Sequence, residues 1–206
     1  MPKLRIAIIG AGSVGFTRKL FSDIVAVPEL REAEFALTDI EPRNLDMVRA
    51  ILERMTAVNR LPTTIFASTD RRAALTGARY VINCTRIGGL EAYRHDIEIP
   101  LKYGIDQCVG DTICAGGILY GQRNIPVILD FCRDISEVAA SGAKFLNYAN
   151  PMAMCCWALG RVPGLQFVGL CHGVQTTMDL ILRVMTVVCC VEPSLVVVKR
   201  WGDAGR

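Results

Sequence analysis

The sequence predicts an α/β protein built on a doubly wound parallel sheet, and three observations lead to this prediction. Short apolar runs alternate with amphipathic stretches along the 206 residues, a pattern typical of parallel strands covered by helices on both faces. The first apolar run, 5–9, leads straight into a glycine-rich turn, 10–15. A second apolar run closes on an acidic residue, Asp39, about 20 residues further on, as in a nucleotide-binding βαβ unit.

The glycine turn predicts a place for the two phosphates of a dinucleotide in a Rossmann-like domain. Gly10 permits the tight turn, Gly12 leaves room for the pyrophosphate, and Gly15 lets the helix and strand pack closely. Free N–H groups at the helix start then face the negative charge. Asp39 is placed to bind the ribose hydroxyls, which favours NAD over NADP, although Arg43 follows four residues later.

The other elements are predicted from hydrophobic period and turn residues. Further strands are expected at 35–38, 64–67, 80–84, 144–148 and 166–170. Helices are expected at 16–27, 42–60, 71–75, 118–132, 151–159 and 175–188, with Gly121 and Pro126 able to kink or restart the fourth. The segment 85–112 is expected to be mixed and rich in loops.

Composition narrows the functional classes. Half of the residues are hydrophobic (51%), the net charge is +3, and the basic residues form no run, so nucleic acid is not an expected partner. We expect no secretory signal and no membrane span, because the apolar stretches are short and interrupted. Nine cysteines in such a chain are expected to be reduced thiols, which indicates a cytoplasmic location.

Polar clusters follow three consecutive predicted strands. Arg86 comes after the fourth strand, Asn150 after the fifth, and Cys171-His172 after the sixth. Ligands bind outside the carboxyl ends of the strands in open parallel sheets. The three clusters therefore predict a shared substrate pocket on the cofactor side of the sheet.

Several of these side chains have two interpretations. Cys171 is either a small buried residue or an ionised thiol that acts as metal ligand or nucleophile, and the adjacent His172 favours the second. His95, within a charged stretch, is either a solvated surface residue or a group supporting a ligand. Asn150 is equally suited to cap a helix and to contact substrate.

Longer motifs resemble one enzyme family. The strings IGAGSVGFT, LTDIEPRNL, NCTRIGGLEAYRHDIEIPLKYGIDQCVGDT, LNYANPMAM and VGLCHGVQ are similar to those of the NAD-dependent glycosidases of glycoside hydrolase family four. The similarity runs from about residue 3 to residue 191. The Cys-His-Gly form resembles members that act on unphosphorylated α-galactosides, α-glucosides or α-galacturonides more than the 6-phospho-glycosidases.

The resemblance implies hydrolysis by oxidation and elimination. NAD⁺ would take a hydride from C3 of the sugar, a base would remove the acidified C2 proton, and the glycosidic oxygen would leave before water adds and the hydride returns. A divalent metal, usually Mn²⁺, would hold the C2 and C3 oxygens.

Residue by residue, the resemblance assigns the following positions. Cys171 would bind the metal, Asn150 would contact sugar hydroxyls, and Asp111 would act near the leaving oxygen, assisted by His172. The cofactor would lie on the glycine turn and Asp39, flanked by Asn83 and Arg86.

The chain departs from the family pattern in several places. Cys114-Ala115-Gly116-Gly117 replaces the usual Gly-Pro-Gly-Gly, and Tyr120 replaces a usual arginine, while Arg123 is retained. The second metal ligand and the catalytic base of the family would lie beyond this sequence. We therefore expect an NAD-binding domain at 1–190, a truncated or aberrant start of an α+β catalytic domain at 191–206, and little turnover from this chain.

Two other functions remain as alternatives. A 2-hydroxy-acid dehydrogenase of the lactate or malate type would share the fold but needs an arginine clamp and a His-Asp pair, which neither histidine here matches. A non-catalytic NAD-binding module is the other alternative. The resemblance also implies a small carbohydrate substrate and a homo-oligomeric full-length form.

Overall fold

Six parallel strands form one sheet in a computed structural model of the chain. They are β1 (Arg5–Ile9), β2 (Glu34–Thr38), β3 (Thr64–Ala67), β4 (Tyr80–Asn83), β5 (Lys144–Asn147) and β6 (Gln166–Gly169). Their order is β3-β2-β1-β4-β5-β6, and every neighbouring pair is parallel. The predicted doubly wound sheet is confirmed, since the order runs outward in both directions from β1.

Six α-helices connect the strands. They are α1 (Val14–Ala26), α2 (Pro42–Val58), α3 (Arg71–Leu75), α4 (Gly89–Leu101), α5 (Ala115–Val138) and α6 (Met152–Leu159), and a 3₁₀ turn lies at Pro28–Leu30. In the part of the chain that the structure describes, none of the helices combines the length and apolar character that a membrane crossing requires.

The structure describes residues 3–107, 109–171, 173, 177, 180–182 and 184. The chain divides into two units, Met1–Leu170 and Cys171–Arg206, and the first contains all the elements named above. Of the predicted helix 175–188, residues 177, 180–182 and 184 are helical, and the others lie outside the described residues. The predicted domain boundary after residue 190 also lies outside them and stays a prediction.

Strand register brings the carboxyl ends of the strands to one edge. Ile9 pairs with Thr38 on one side and with Asn83 on the other, and Asn83 in turn pairs with Asn147. The connections from β1 and β4 leave toward opposite sides, so a crevice opens between these two strands at this edge.

Two hydrophobic clusters cover the two faces of the sheet. Along β1, Ile6 and Ile8 belong to the cluster packed against α1 and α2, while Ala7 and Ile9 belong to the one packed against α3, α5 and α6. Alternate strand residues point to opposite faces, and β1 is buried on both of them, so its sequence is continuously apolar from Ile6 to Ile9.

The prediction of a loop-rich segment at 85–112 was wrong over its middle, where α4 forms. The buried residues of this helix are Asp96 and Pro100, so it lacks the apolar stripe by which a helix is recognised in sequence. Asp96 is accommodated because Arg123 of α5 pairs with it at 2.6 Å.

The helix α5 continues through both predicted break points. Gly121 is buried, and a Cβ at this position would lie 2.9 Å from Sδ of Met154, so glycine here allows the close approach of α5 and α6. Pro126 has no N–H to donate to the carbonyl four residues earlier in the helix. Because Pro126 is exposed, water can reach that carbonyl.

Candidate functional site

A cavity of about 1050 Å³ opens at the carboxyl edge of the sheet, within the first unit. Its lining comes from the glycine turn, the end of β2, the segment after β4, one side of α5 and the segment after β5. The volume lies at the upper end of the range for small-molecule sites. Of the predicted site residues of the first unit, Gly10, Gly12, Asp39, Arg86 and Asn150 line this cavity, whereas Gly15, Asn83 and Asp111 do not.

The first two glycines of the turn are required by close approaches. Gly10 has a φ of +81°, and a Cβ on it would lie 2.9 Å from the backbone nitrogen of Thr85. A Cβ on Gly12 would lie 2.8 Å from the Asp39 carboxylate. Glycine is the residue that suits both positions, because it tolerates positive φ and has no side chain.

Asp39 is held rigidly at the end of β2. Its Oδ2 accepts a hydrogen bond from the Gly12 N–H at 2.7 Å, and its Oδ1 accepts one from the Glu41 N–H at 3.0 Å. Both Asp39 and Glu41 line the cavity. The carboxylate thus stands beside the turn, as predicted, while Arg43 is not among the lining residues.

Gly15 does not have the packing role predicted for it. Nothing lies within 4 Å of a Cβ built on this residue, which sits exposed near the start of α1. The buried residue at this end of the helix is Thr17, whose hydroxyl donates to the Ala11 carbonyl at 2.9 Å. Thr17 therefore makes the close contact between the helix and the turn.

Asn83 lies in the sheet and is not a lining residue. Its side chain is fully buried; Nδ2 donates to Asn147 at 2.9 Å, and Oδ1 accepts from both the N–H and the hydroxyl of Thr85. Because Thr85 lines the cavity, Asn83 positions the cavity wall through Thr85 and does not itself form part of that wall.

Asp111, Arg86 and Asn150 meet in one cluster. Oδ2 of Asp111 accepts from Nη2 of Arg86 at 3.3 Å and from Nδ2 of Asn150 at 3.1 Å. The Asp111 side chain is only 12% exposed, so the charged guanidinium compensates its carboxylate. The structure therefore brings together three predicted site residues from segments far apart in sequence.

Asn150 is not a helix cap. The residue preceding α6 is Pro151, and no side chain caps the helix. The Asn150 side chain instead turns to Asp111, and its carbonyl accepts a hydrogen bond from the amide of the buried Asn124. Of the two interpretations left open by the sequence, the structure supports a place in the site.

Tyrosine rings support the Arg86 guanidinium, which the sequence did not predict. The Arg86 guanidinium lies 4.7 Å from the ring centroid of Tyr93 and 5.3 Å from that of Tyr120. The Arg123 guanidinium also lies 5.3 Å from the Tyr120 centroid. Burial raises the pKa of Tyr120, although Arg86 acts in the opposite direction. Tyr120 therefore keeps its proton at neutral pH and offers a ring face to both cations.

A buried ion pair holds the segment after β4. Arg123 bonds both carboxylate oxygens of Asp96, at 3.1 and 2.6 Å, and its Nε donates to the Ile87 carbonyl at 2.9 Å. Gln107 bridges the Asp96 carbonyl and the Gly116 N–H. These bonds connect the segment carrying Arg86 and the loop carrying Asp111 to α4 and α5.

The predicted metal ligand lies in the second unit. Cys171 is exposed and His172 lies outside the described residues; His95 is exposed, as one of its two interpretations expected. Among the residues that the structure describes, no three His, Cys, Asp or Glu side chains come together to hold a metal ion. These residues do not supply a complete donor set for Mn²⁺.

The buried cysteines behave as apolar side chains. Burial raises the pKa of Cys84 and of Cys155 to about 12, and the pKa of Cys156 is raised for the same reason. These thiols stay protonated at neutral pH and are poor nucleophiles. All six cysteines in the described part of the chain are free.

A parallel sheet with a glycine turn, a β2 carboxylate and a cavity at the switch point defines a dinucleotide-binding Rossmann-like protein. The family model described as "Family 4 glycosyl hydrolase" matches residues 5–187, and the chain belongs to this family. An alpha-galactosidase of Rhizobium meliloti (strain 1021) is 66% identical over 185 residues, which are 90% of this chain and 38% of that relative. The chain thus spans about two fifths of the length of this relative.

Solved structures share the fold. A 6-phospho-beta glucosidase from Thermotoga maritima, solved with manganese, NAD+ and glucose-6-phosphate, superimposes with a TM-score of 0.78 at 25% identity, covering 89% of this chain and 43% of that one. A lactate dehydrogenase from Eimeria maxima has a TM-score of 0.61 at 18% identity, covering 94% and 50%. The similarity to the lactate dehydrogenase shows only that the two proteins share a fold.

Proposed function

We propose that this chain supplies the NAD-binding and sugar-facing part of a glycosidase acting on α-galactosides. The observation that carries the proposal is the hydrogen bonding of Asp111 to Arg86 and Asn150, two residues that line the same cavity as the glycine turn. Family membership and the 66% identical alpha-galactosidase support the reaction class and the sugar.

The cavity fits a dinucleotide. Gly10 and Gly12 form a tight turn beside Asp39, the start of α1 offers backbone N–H groups to the pyrophosphate, and Asp39 is placed for the ribose hydroxyls. Bound NAD⁺ would supply a hydride acceptor for the sugar, which it returns later in the same turnover. The chain's own contribution is to hold and orient this cofactor beside the cluster.

The cluster offers groups suited to a sugar. The Asp111 carboxylate can accept a hydroxyl hydrogen bond and exchange a proton near the leaving oxygen. Asn150 can donate to and accept from hydroxyls, and Arg86 holds Asp111 in place. Cys171 as a metal ligand and His172 as an assisting acid stay predictions, and no step is assigned to a metal here because the described donor set is incomplete.

Calorimetric titration of the 206-residue chain with NAD⁺ tests cofactor binding. We expect binding, and we expect it to weaken strongly in Gly12→Val, because a branched side chain would enter the space beside Asp39. Absence of NAD⁺ binding to the wild-type chain would contradict the proposal.

Sugar selectivity is tested by saturation-transfer NMR with methyl α-galactoside and methyl α-glucoside in the presence of NAD⁺. We expect a stronger signal from the galactoside and its loss in Asn150→Ala. Equal signals for the two sugars would contradict the substrate assignment while leaving cofactor binding intact.

Hydrolysis of p-nitrophenyl α-galactoside is measured with NAD⁺, Mn²⁺ and a thiol reductant. We expect little turnover from these residues alone, and substantial turnover would contradict that expectation. NADH formation from lactate or malate would instead favour a dehydrogenase, which the comparison supports at the level of fold alone. A cytoplasmic location and a homo-oligomeric state are part of the proposal, and light scattering tests the second.

A further inference from the structure

The start of α2 borders the cavity next to Asp39 and has few free donors. Glu41 is the N-cap residue, and its Oε1 accepts the backbone N–H of Arg43 at 3.3 Å. Pro42 is the first residue of the helix and has no N–H to offer. Of the first backbone nitrogens of the helix, that of Pro42 carries no hydrogen and that of Arg43 is occupied, so this helix N-terminus offers an anion fewer N–H groups than usual.

Two carboxylates stand together at this point of the wall. Asp39 and Glu41 both line the cavity, and the N–H of Glu41 is bonded to Oδ1 of Asp39. NADP differs from NAD by a phosphate on the 2′ oxygen of the adenosine ribose, which is the part of the cofactor that Asp39 would bind. That phosphate would meet two negative charges and a helix start at which Pro42 has no N–H and the Arg43 N–H is occupied.

We propose that Glu41 is a second specificity residue that rejects the 2′-phosphate of NADP. The inference rests on the proposed binding of a nicotinamide dinucleotide. The Glu41 carboxylate would repel the phosphate by its charge, and it also occupies the Arg43 N–H, which could otherwise donate to the phosphate. Asp39 would favour NAD in another way, by binding the ribose hydroxyls. Arg43, an exposed cation on the same helix, does not line the cavity.

The test measures the ratio of NADP⁺ to NAD⁺ dissociation constants by calorimetry for the 206-residue chain and for Glu41→Gln. Glutamine keeps an oxygen that can cap α2 but removes the charge. We expect the ratio to fall about five- to tenfold, because a full carboxylate charge near a phosphate is removed. The change should shrink at roughly 0.5 M salt, because salt screens exposed charges.

Glu53→Gln is the matched control, since Glu53 is an exposed carboxylate on the same helix and is absent from the cavity lining. It should leave the ratio unchanged. Glu41→Ser, which also caps a helix without charge, provides a second neutral variant should Glu41→Gln fold poorly.

Each outcome bears on the inference. A fall in the ratio for the two neutral variants of Glu41, with none for Glu53→Gln, supports it. An unchanged ratio in a chain that binds NAD⁺ overturns the inference and leaves the proposed function standing. A wild-type chain that binds neither dinucleotide overturns both.

Discussion

Replacing Asp96 with asparagine removes one charge from a buried pair and changes little else in shape. The Asp96 side chain is 5% exposed and the Arg123 side chain 27%. Both carboxylate oxygens receive hydrogen bonds from Arg123. The substitution leaves a largely enclosed guanidinium without its counter-charge.

The expected loss of stability follows from this burial. Breaking a buried ion pair by removing one partner costs about 3–5 kcal/mol, and the partial exposure of Arg123 places the value near the lower end, about 3 kcal/mol. For a chain of this size, each kcal/mol lowers the unfolding midpoint by about 2–4 °C. We therefore expect the midpoint to fall by roughly 6–12 °C.

Thermal unfolding followed by circular dichroism measures this change, and the same helix provides the control. Glu98 forms an exposed pair with Arg94 one turn away, and such pairs contribute little. Glu98→Gln should leave the midpoint unchanged within error. Equal shifts for the two variants, or none for Asp96→Asn, would refute the argument that burial makes the Asp96 pair important.

Two further predictions concern the glycine turn and the acid stability of the chain. Gly10→Ala should abolish NAD⁺ binding and destabilise the fold by about 2 kcal/mol or more, because its Cβ would press on the Thr85 backbone at a positive φ; calorimetry and thermal melts measure both effects. Asp134→Asn should reduce stability more at neutral pH than at about pH 3 in urea unfolding. Burial would raise the pKa of Asp134, but hydrogen bonds from Arg71 and Arg72 outweigh it and lower the pKa below 3.8. A carboxyl with a lowered pKa stabilises the fold above its unfolded pKa, and this stabilisation is lost as the pH falls through the folded pKa.

Each of these predictions has a matched control. Gly142 has a φ of +71° but open space around a Cβ, so Gly142→Ala reports backbone strain without a clash and should leave NAD⁺ binding intact. Asp130 contacts the same arginine as Asp134 with its side chain 49% exposed, so Asp130→Asn should reduce stability at neutral pH less than Asp134→Asn does. Equal effects within either pair would contradict the stated causes.

Much of the fold could be predicted because the central strands β1, β2 and β4 are buried on both faces. Burial of this kind demands continuous apolar strands, which stand out between amphipathic helices in the sequence. The helix α4 was not predicted because it has no apolar stripe. The buried residues of α4 are Asp96, which is charged, and Pro100. Arg123, which pairs with Asp96, lies 27 residues away in the chain, so no local hydrophobic pattern predicts this helix.

The candidate site also contains some features that the sequence predicts and others that only the tertiary structure shows. The tight turn at Gly10 follows from local chain geometry, so the motif was sufficient to predict it, whereas the pyrophosphate contact of Gly12 and the ribose contact of Asp39 stay predictions. The motif was misleading at Gly15, because Thr17 makes the close contact there. The support of Arg86 by Tyr93 and Tyr120 had no sequence signal, since aromatic residues in a helix ordinarily indicate core packing.

The sequence by itself determined the sheet, the nucleotide turn and the family, because these depend on hydrophobic period and on residues adjacent in the chain. Only the tertiary structure decided that Asn150 turns to Asp111, 39 residues away, and does not cap its own helix. It alone also showed that the Asn83 side chain bonds to Asn147 and does not line the cavity, whereas Glu41 does. These outcomes depend on which strands and helices meet, and strand order is a property of long-range packing that local sequence does not encode.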